Sequence, residues 1–183
     1  ASGEYTTGKE NDIYNESLMA LIQDYVDAHP GIDKDRIYVG GCSNGGYMSL
    51  KLILEYPDYF AAGYISALAY QAKYIKDEQI QRIKNVPIWF IHSNDDPVTV
   101  ADETVVPLYH RLVAAGSTNV HFSFYDHVVD LTGVFGGTGF HYSGHWSWIY
   151  SHTNHARLGF DGKPVIVDGK AVNVMDWMAA QSR

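Results

Sequence analysis

Apolar residues in this chain recur with two different periods, and the switches between them predict the element order. Leu18, Leu21, Ile22, Tyr25 and Val26 fall at i, i+3, i+4, i+7 and i+8, which predicts an amphipathic helix over residues 12–28. His29-Pro30-Gly31 ends it. A short apolar run at 36–40 predicts a strand, and residues 44–56 predict a helix that stops at Pro57. Further strands are predicted at 60–66, 86–92 and 120–125. The run at 86–92 is almost wholly apolar, as a strand buried on both faces would be. Helices are predicted at 77–84 and between Thr104 and Ala115, with Pro107 in the first turn of the latter and Gly116 at its end. Residues 126–144 read as a long loop rich in glycine and aromatics. Helical stretches at about 145–154 and 173–181 follow, separated by turns at 161–164 and 167–170. Strands alternating with helices predict an α/β fold, a mostly parallel sheet with helices on both faces.

Composition narrows the class. The 183 residues are 46% hydrophobic and 19% charged, a globular balance with enough chain for one domain and a core. No apolar run approaches the roughly 20 residues of a membrane span, and no basic segment followed by an apolar stretch marks a signal peptide. The net charge is −8, from 13 basic and 21 acidic residues without a Lys/Arg cluster, which argues against nucleic acid as a partner. The single cysteine, Cys42, excludes an internal disulfide and reads as a small buried thiol.

The candidate chemistry sits where the 36–40 strand meets the 44–56 helix. Gly41-Cys42-Ser43-Asn44-Gly45 fits G-x-S-x-G, with Gly46 as a third glycine that lets the helix pack closely. A sharp strand-to-helix turn would hold Ser43 in a strained conformation with its hydroxyl projecting, and the helix would aim N–H groups at a developing oxyanion. A serine nucleophile needs a histidine base, and that histidine needs an orienting carboxylate. The acid is expected after the 86–92 strand, where Asp96 stands before Pro97-Val98. Asp95 is the alternative in the same turn, with Asp126 and Asp130 further off. The base is expected after the 120–125 strand: His145, freed by Gly144, with His141 as competitor. The other histidines read as surface or packing residues. His141, His145, His152 and His155 do not form a metal set, because Gly144 interrupts the first pair and no Cys cluster or nearby Glu completes the ligands. No metal or other cofactor is expected.

These segments resemble a known family. The stretch from Ile32 through Ser43 to Tyr47 is similar to the elbow region of serine esterases and predicted peptidases of the α/β-hydrolase superfamily, including feruloyl-esterase-like and polyhydroxybutyrate-depolymerase-like enzymes. The segment 56–62 resembles their passage from helix to next strand. The segment 92–98 resembles their H-G-x-x-D-x-V acid loop, with Ser93 in place of Gly. Gly144-His145-Trp146-Ser147-Trp148 resembles their G-H-x-S-W segment, and 176–181 their closing helix. The resemblance implies Ser43 as nucleophile, Asp96 as orienting acid, His145 as general base and the Asn44 backbone N–H as an oxyanion donor. It also implies one catalytic domain over residues 1–183 lacking its N-terminal half, with the strands before the elbow and the second oxyanion donor missing. The 36–40 strand would then have an unpaired edge and the neighbouring helices would expose apolar surface. Self-association or a missing N-terminal fragment is the expected remedy. The segment 67–85 is too short for a lipase-type cap. An open site of this kind suits short-chain or polymer-linked acyl esters such as acetyl or feruloyl carbohydrates. Phe135, Phe140 and Tyr142 would serve either as an aromatic wall or as packing residues. A serine peptidase with the same triad, or a non-catalytic module on the same fold, are the alternatives.

Overall fold

A computed structural model describes residues 12–183. Helix α1 (Asn15–Ala28) precedes strand β1 (Tyr38–Cys42), helix α2 (Asn44–Glu55) and strand β2 (Ala62–Ser66). Helix α3 (Asp77–Ile83), strand β3 (Ile88–Ser93), helix α4 (Val105–Ala114) and strand β4 (Val120–Tyr125) complete the sheet. The four strands are parallel and lie in the order β1-β2-β3-β4. A short ribbon follows, β5 (Val128–Val129) with β6 (His141–Tyr142), then helix α5 (Trp148–His152). A hairpin of β7 (Ile166–Val167) and β8 (Lys170–Ala171) and helix α6 (Val174–Ala179) end the chain.

β3 explains why the sheet is covered on both faces. All six of its residues are buried, and the side chains alternate between two cores, as the pleat requires. Ile88 and Phe90 join Met19 of α1, Leu50 and Ile53 of α2, Ile83 of α3 and Leu108 of α4. Trp89 and Ile91 point the other way, to Tyr150 of α5 and to Val174 and Trp177 of α6. The six-residue α6 is far too short to be stable alone. Trp177 pins it: its ring packs edge-on against Trp89 at 5.4 Å and its indole N–H donates to Asn119 at 3.0 Å. Truncating a buried tryptophan costs about 3–5 kcal/mol.

Several predicted elements are relocated. The strand before the serine runs over 38–42 rather than 36–40, because Gly40, Gly41 and Cys42 stay in register with Tyr64, Ile65 and Ser66 of β2 and the turn is confined to Ser43. The loop 126–144 contains the β5–β6 ribbon and a 3-10 turn at Gly137–Gly139. The helix expected at 145–154 is a 3-10 turn (Gly144–Trp146) followed by the shorter α5. The turn at 167–170 is a hairpin whose tip, Asp168 and Gly169, has positive φ at both positions, the signature of a type I′ turn.

α1 turns its apolar stripe only partly inward. Met19 and Val26 are buried and Asn15 donates to Glu55 of α2 at 3.1 Å, but Leu21 and Tyr25 are 64% and 58% exposed. Among the described residues no strand pairs with the outer edge of β1. Ile13 and Tyr14 are exposed as well. Among the described residues no helix is long and apolar enough to cross a membrane.

Candidate active site

Ser43 is the single residue between β1 and α2, and its backbone lies at φ 55°, ψ −117°. A non-glycine residue at such angles stores of order 1–3 kcal/mol of strain, which the surroundings must enforce. Here they do. The Ser43 N–H donates to the Ser66 carbonyl at the end of β2 (2.9 Å), and the Ser43 carbonyl accepts from Tyr47 N–H in the first turn of α2 (3.0 Å). The turn is also too tight for a side chain at Gly41, where a Cβ would lie 2.5 Å from the backbone of Gly45. A serine at a helix N-cap ordinarily spends its hydroxyl on the helix N–H groups. Ser43 makes no such bond; its hydroxyl faces His145 Nε2 at 3.0 Å.

His145 sits in the 3-10 turn ahead of α5, and its Nδ1 lies 2.9 and 3.1 Å from the two carboxylate oxygens of Asp96. A carboxylate only accepts, so Nδ1 carries the proton. In the neutral ring Nε2 is then free to accept from the Ser43 hydroxyl. Trp148 lies edge-on to the imidazole at 5.1 Å. Asp96 is buried, while His145 and Ser43 are partly open to solvent.

Asp96 is held as an anion by its own loop. It accepts from Val98 N–H (2.8 Å), Thr99 N–H (3.0 Å) and the Thr99 hydroxyl (2.6 Å). Burial alone would push its carboxyl up, but the hydrogen bonds from His145, Thr99 and Val98 outweigh it and hold the pKa at about 2. His92 backs this loop. It is fully buried, its Nε2–H donates to the Thr99 carbonyl at 2.7 Å, and burial lowers its pKa, keeping it neutral.

The other candidates go elsewhere. Asp95 pairs with His127 at 2.8 Å, and His141 stacks on His127 with ring centroids 4.2 Å apart. Asp130 is a loop organiser. Its carboxylate accepts from Thr132 N–H and hydroxyl, Phe135 N–H and Gly137 N–H, at 2.6–3.1 Å, and these donors hold its pKa far below the usual range. Asp126 is exposed. Cys42 is half-buried rather than buried, and burial pushes its thiol up, away from the thiolate. Among the described residues no group of three or more His, Cys, Asp or Glu side chains is placed to hold a metal ion. The sequence reading missed Thr99 and His92; the only signal for Thr99 was an Asp-Pro turn, in which a hydroxyl three residues on can reach the carboxylate.

Phe135, Phe140, Tyr142 and Trp146 form a chain of ring contacts at 5.5, 5.0 and 6.1 Å that ends beside His145. Phe135 and Trp146 are 61% and 47% exposed. Between β2 and β3 there is only a 3-10 turn and the seven-residue α3.

Known proteins place the fold. A thermostable esterase of known structure is 26% identical, with a TM-score of 0.67 over 91% of this chain and 36% of its own. The acylaminoacyl peptidase of Pyrococcus horikoshii is 18% identical, with a TM-score of 0.56 over 76% of this chain and 26% of its own. A variant of Arabidopsis thaliana SOBER1 is 22% identical, with a TM-score of 0.50 over 64% of this chain and 56% of its own. The last two likenesses speak to the fold alone, and the chain spans well under two thirds of each of the three. No curated protein sequence matches it. A profile of the phospholipase/carboxylesterase family matches residues 7–127, from ahead of α1 through the elbow and the Asp96 loop. The chain therefore belongs to the phospholipase/carboxylesterase family, with the α/β-hydrolase fold.

Proposed function

We propose that this chain carries the catalytic residues of a serine hydrolase that cleaves carboxylic esters through an acyl-enzyme. One observation carries the reading: a strained serine whose hydroxyl is left uncapped and hydrogen-bonded to a histidine that is itself held by a buried anionic carboxylate. Ser43 Oγ attacks the ester carbonyl while His145 Nε2 takes its proton, and Asp96 stabilises the resulting imidazolium. The first N–H groups of an α-helix have no intrahelical partner, so the Asn44 N–H is free to donate to the tetrahedral oxyanion. One such donor is worth about 10²–10³ in turnover. His145 returns the proton to the leaving alcohol. A water activated at the same nitrogen then releases the acid and restores Ser43.

The substrate we favour is an acyl group on a bulky or polymeric alcohol, such as an acetylated or feruloylated carbohydrate. The short β2–β3 connection, without a cap domain, supports an open site. The exposed rings of Phe135 and Trp146 support an aromatic wall beside His145. Assays should compare p-nitrophenyl acetate and a feruloylated oligosaccharide with an N-acylated aminoacyl p-nitroanilide. Ester turnover with negligible anilide cleavage is expected; comparable anilide cleavage would replace this reading with a peptidase.

We also propose association through the β1 side. The β1 edge, which no strand pairs among the described residues, and exposed Ile13, Tyr14, Leu21 and Tyr25 support it, the occupant being a second copy or a further polypeptide. A compact monomer on size-exclusion chromatography across concentration would count against the second copy.

A further inference from the structure

The two side chains that compete with the triad in the sequence, Asp95 and His141, meet in the structure through a third residue, His127. Asp95 follows β3, one residue before the triad carboxylate. His127 stands between β4 and β5, and His141 begins β6, four residues before His145. The His127 Nδ1–H donates to Asp95 Oδ2 at 2.8 Å, and its ring lies flat against His141, 4.2 Å between centroids at 20°. The ribbon register, Val129 opposite His141, fixes the spacing of the two rings. Tyr150 of α5 ties the same ribbon down: its hydroxyl donates to the His127 carbonyl (3.2 Å) and accepts from Val129 N–H (2.9 Å).

Asp95 reaches the histidine turn directly as well. Gly144 packs on it so closely that a Cβ there would lie 2.2 Å from Asp95 Oδ1 and 2.6 Å from its backbone carbon. Asp95 is therefore packed directly against the residue that precedes His145. Asp95 is fixed from below by Ser93, the residue that departs from the glycine usual in this loop. The buried Ser93 hydroxyl donates to Asp95 Oδ1. Burial raises the Asp95 carboxyl, but its bonds to His127 and Ser93 outweigh it and keep the group ionised.

We propose that Ser93, Asp95, His127 and His141 form a brace that positions the His145 turn, so that His127 is a positioning residue for the hydrolysis although it touches neither substrate nor the reacting atoms. The inference rests on the hydrolase reading above. The brace joins the acid loop after β3 to the base loop after β4 by a second carboxylate–imidazole hydrogen bond beside the Asp96–His145 bond. Loss of that bond frees the Gly144 turn, and misplacement by about 1 Å costs on the order of 10²-fold in rate.

The test compares His127→Ala with His127→Asn, whose side-chain amide places a donor near the position of Nδ1. Each is measured for kcat and KM on p-nitrophenyl acetate and for Tm. Proton NMR reads the far-downfield signal of the His145 Nδ1–H bonded to Asp96. The expected result for His127→Ala is a kcat lowered about 10–100-fold with little change in KM, an unchanged Tm and a broadened downfield signal; His127→Asn restores rate and signal. Wild-type kcat and a sharp signal in His127→Ala would overturn the proposal. So would equal losses in both variants accompanied by a lower Tm, which would mark a structural contribution only. If His127→Ala does not fold, Asp95→Ala, which removes the acceptor of the His127 bond, takes its place, with the loss of kcat and the broadened signal expected of His127→Ala. An inactive wild type would remove the hydrolase reading, while the NMR signal would still decide whether the brace orders His145.

Discussion

Ser43→Ala is expected to lower ester turnover by about 10⁴–10⁶-fold, with the fold intact. The magnitude is that of losing the nucleophile from a three-residue unit whose members act together, so that little remains beyond binding and oxyanion stabilisation. The fold survives because the Ser43 hydroxyl caps nothing; its hydrogen-bond partner is His145 Nε2. Alanine is as strained as serine at φ 55°, so no backbone relaxation is expected and Tm stays close to wild type. Steady-state kinetics on p-nitrophenyl acetate, with thermal melts on the same samples, check both halves. A mutant retaining a tenth of the wild-type rate would place the chemistry on another residue.

Asp96→Asn is expected to cost about 10⁴-fold in kcat by exchanging the tautomer of His145 rather than by disturbing packing. Asp96 Oδ1 is fixed as an acceptor by Val98 and Thr99 N–H, so the amide oxygen of asparagine takes that place. The amide nitrogen then falls at the Oδ2 position, 2.9 Å from His145 Nδ1, and donates to it. The proton moves to Nε2, which can no longer accept from Ser43. The same substitution changes acid stability. The Asp96 pKa is about 2 in the folded chain, below the ordinary 3.8, so its ionisation stabilises the fold above about pH 4. That contribution is lost as pH falls from about 4 through 2. Asp96→Asn melts should lack this step, and Tm profiles of the two proteins between pH 2 and pH 6 measure it. Identical acid limbs would mean that the carboxylate is not held as described.

Much of this site is legible in the sequence because it depends on local chain chemistry. Gly41, Ser43 and Gly45 mark the turn, with Gly41 the position that has no room for a side chain, and the apolar run at 88–91 encodes a central strand whatever its neighbours. The position of Asp96 follows from its place after that strand. What the sequence hides is set by contacts between distant segments. Asp95 and Asp96 are indistinguishable as letters; the difference is that one loop bends Asp96 towards His145 and Thr99 while Asp95 meets His127, 32 residues on. The β5–β6 ribbon has two residues per strand, too few to alternate, and owes its shape to donors gathered around Asp130. Of the stripe on α1, Val26 is buried and Leu18 and Ile22 pack partly buried against the core beside Met19, while Leu21 and Tyr25 stay exposed, so periodicity gave the helix and misjudged part of its face.

The central claim is that Ser43 is an activated nucleophile. Reaction with a fluorophosphonate probe, followed by intact-mass and peptide analysis, tests it most directly, because the probe reports activation without assuming a natural substrate. One adduct per chain is expected, on Ser43, formed slowly or not at all in His145→Ala. A folded sample that remains unlabelled, or that labels equally well without His145, would contradict it.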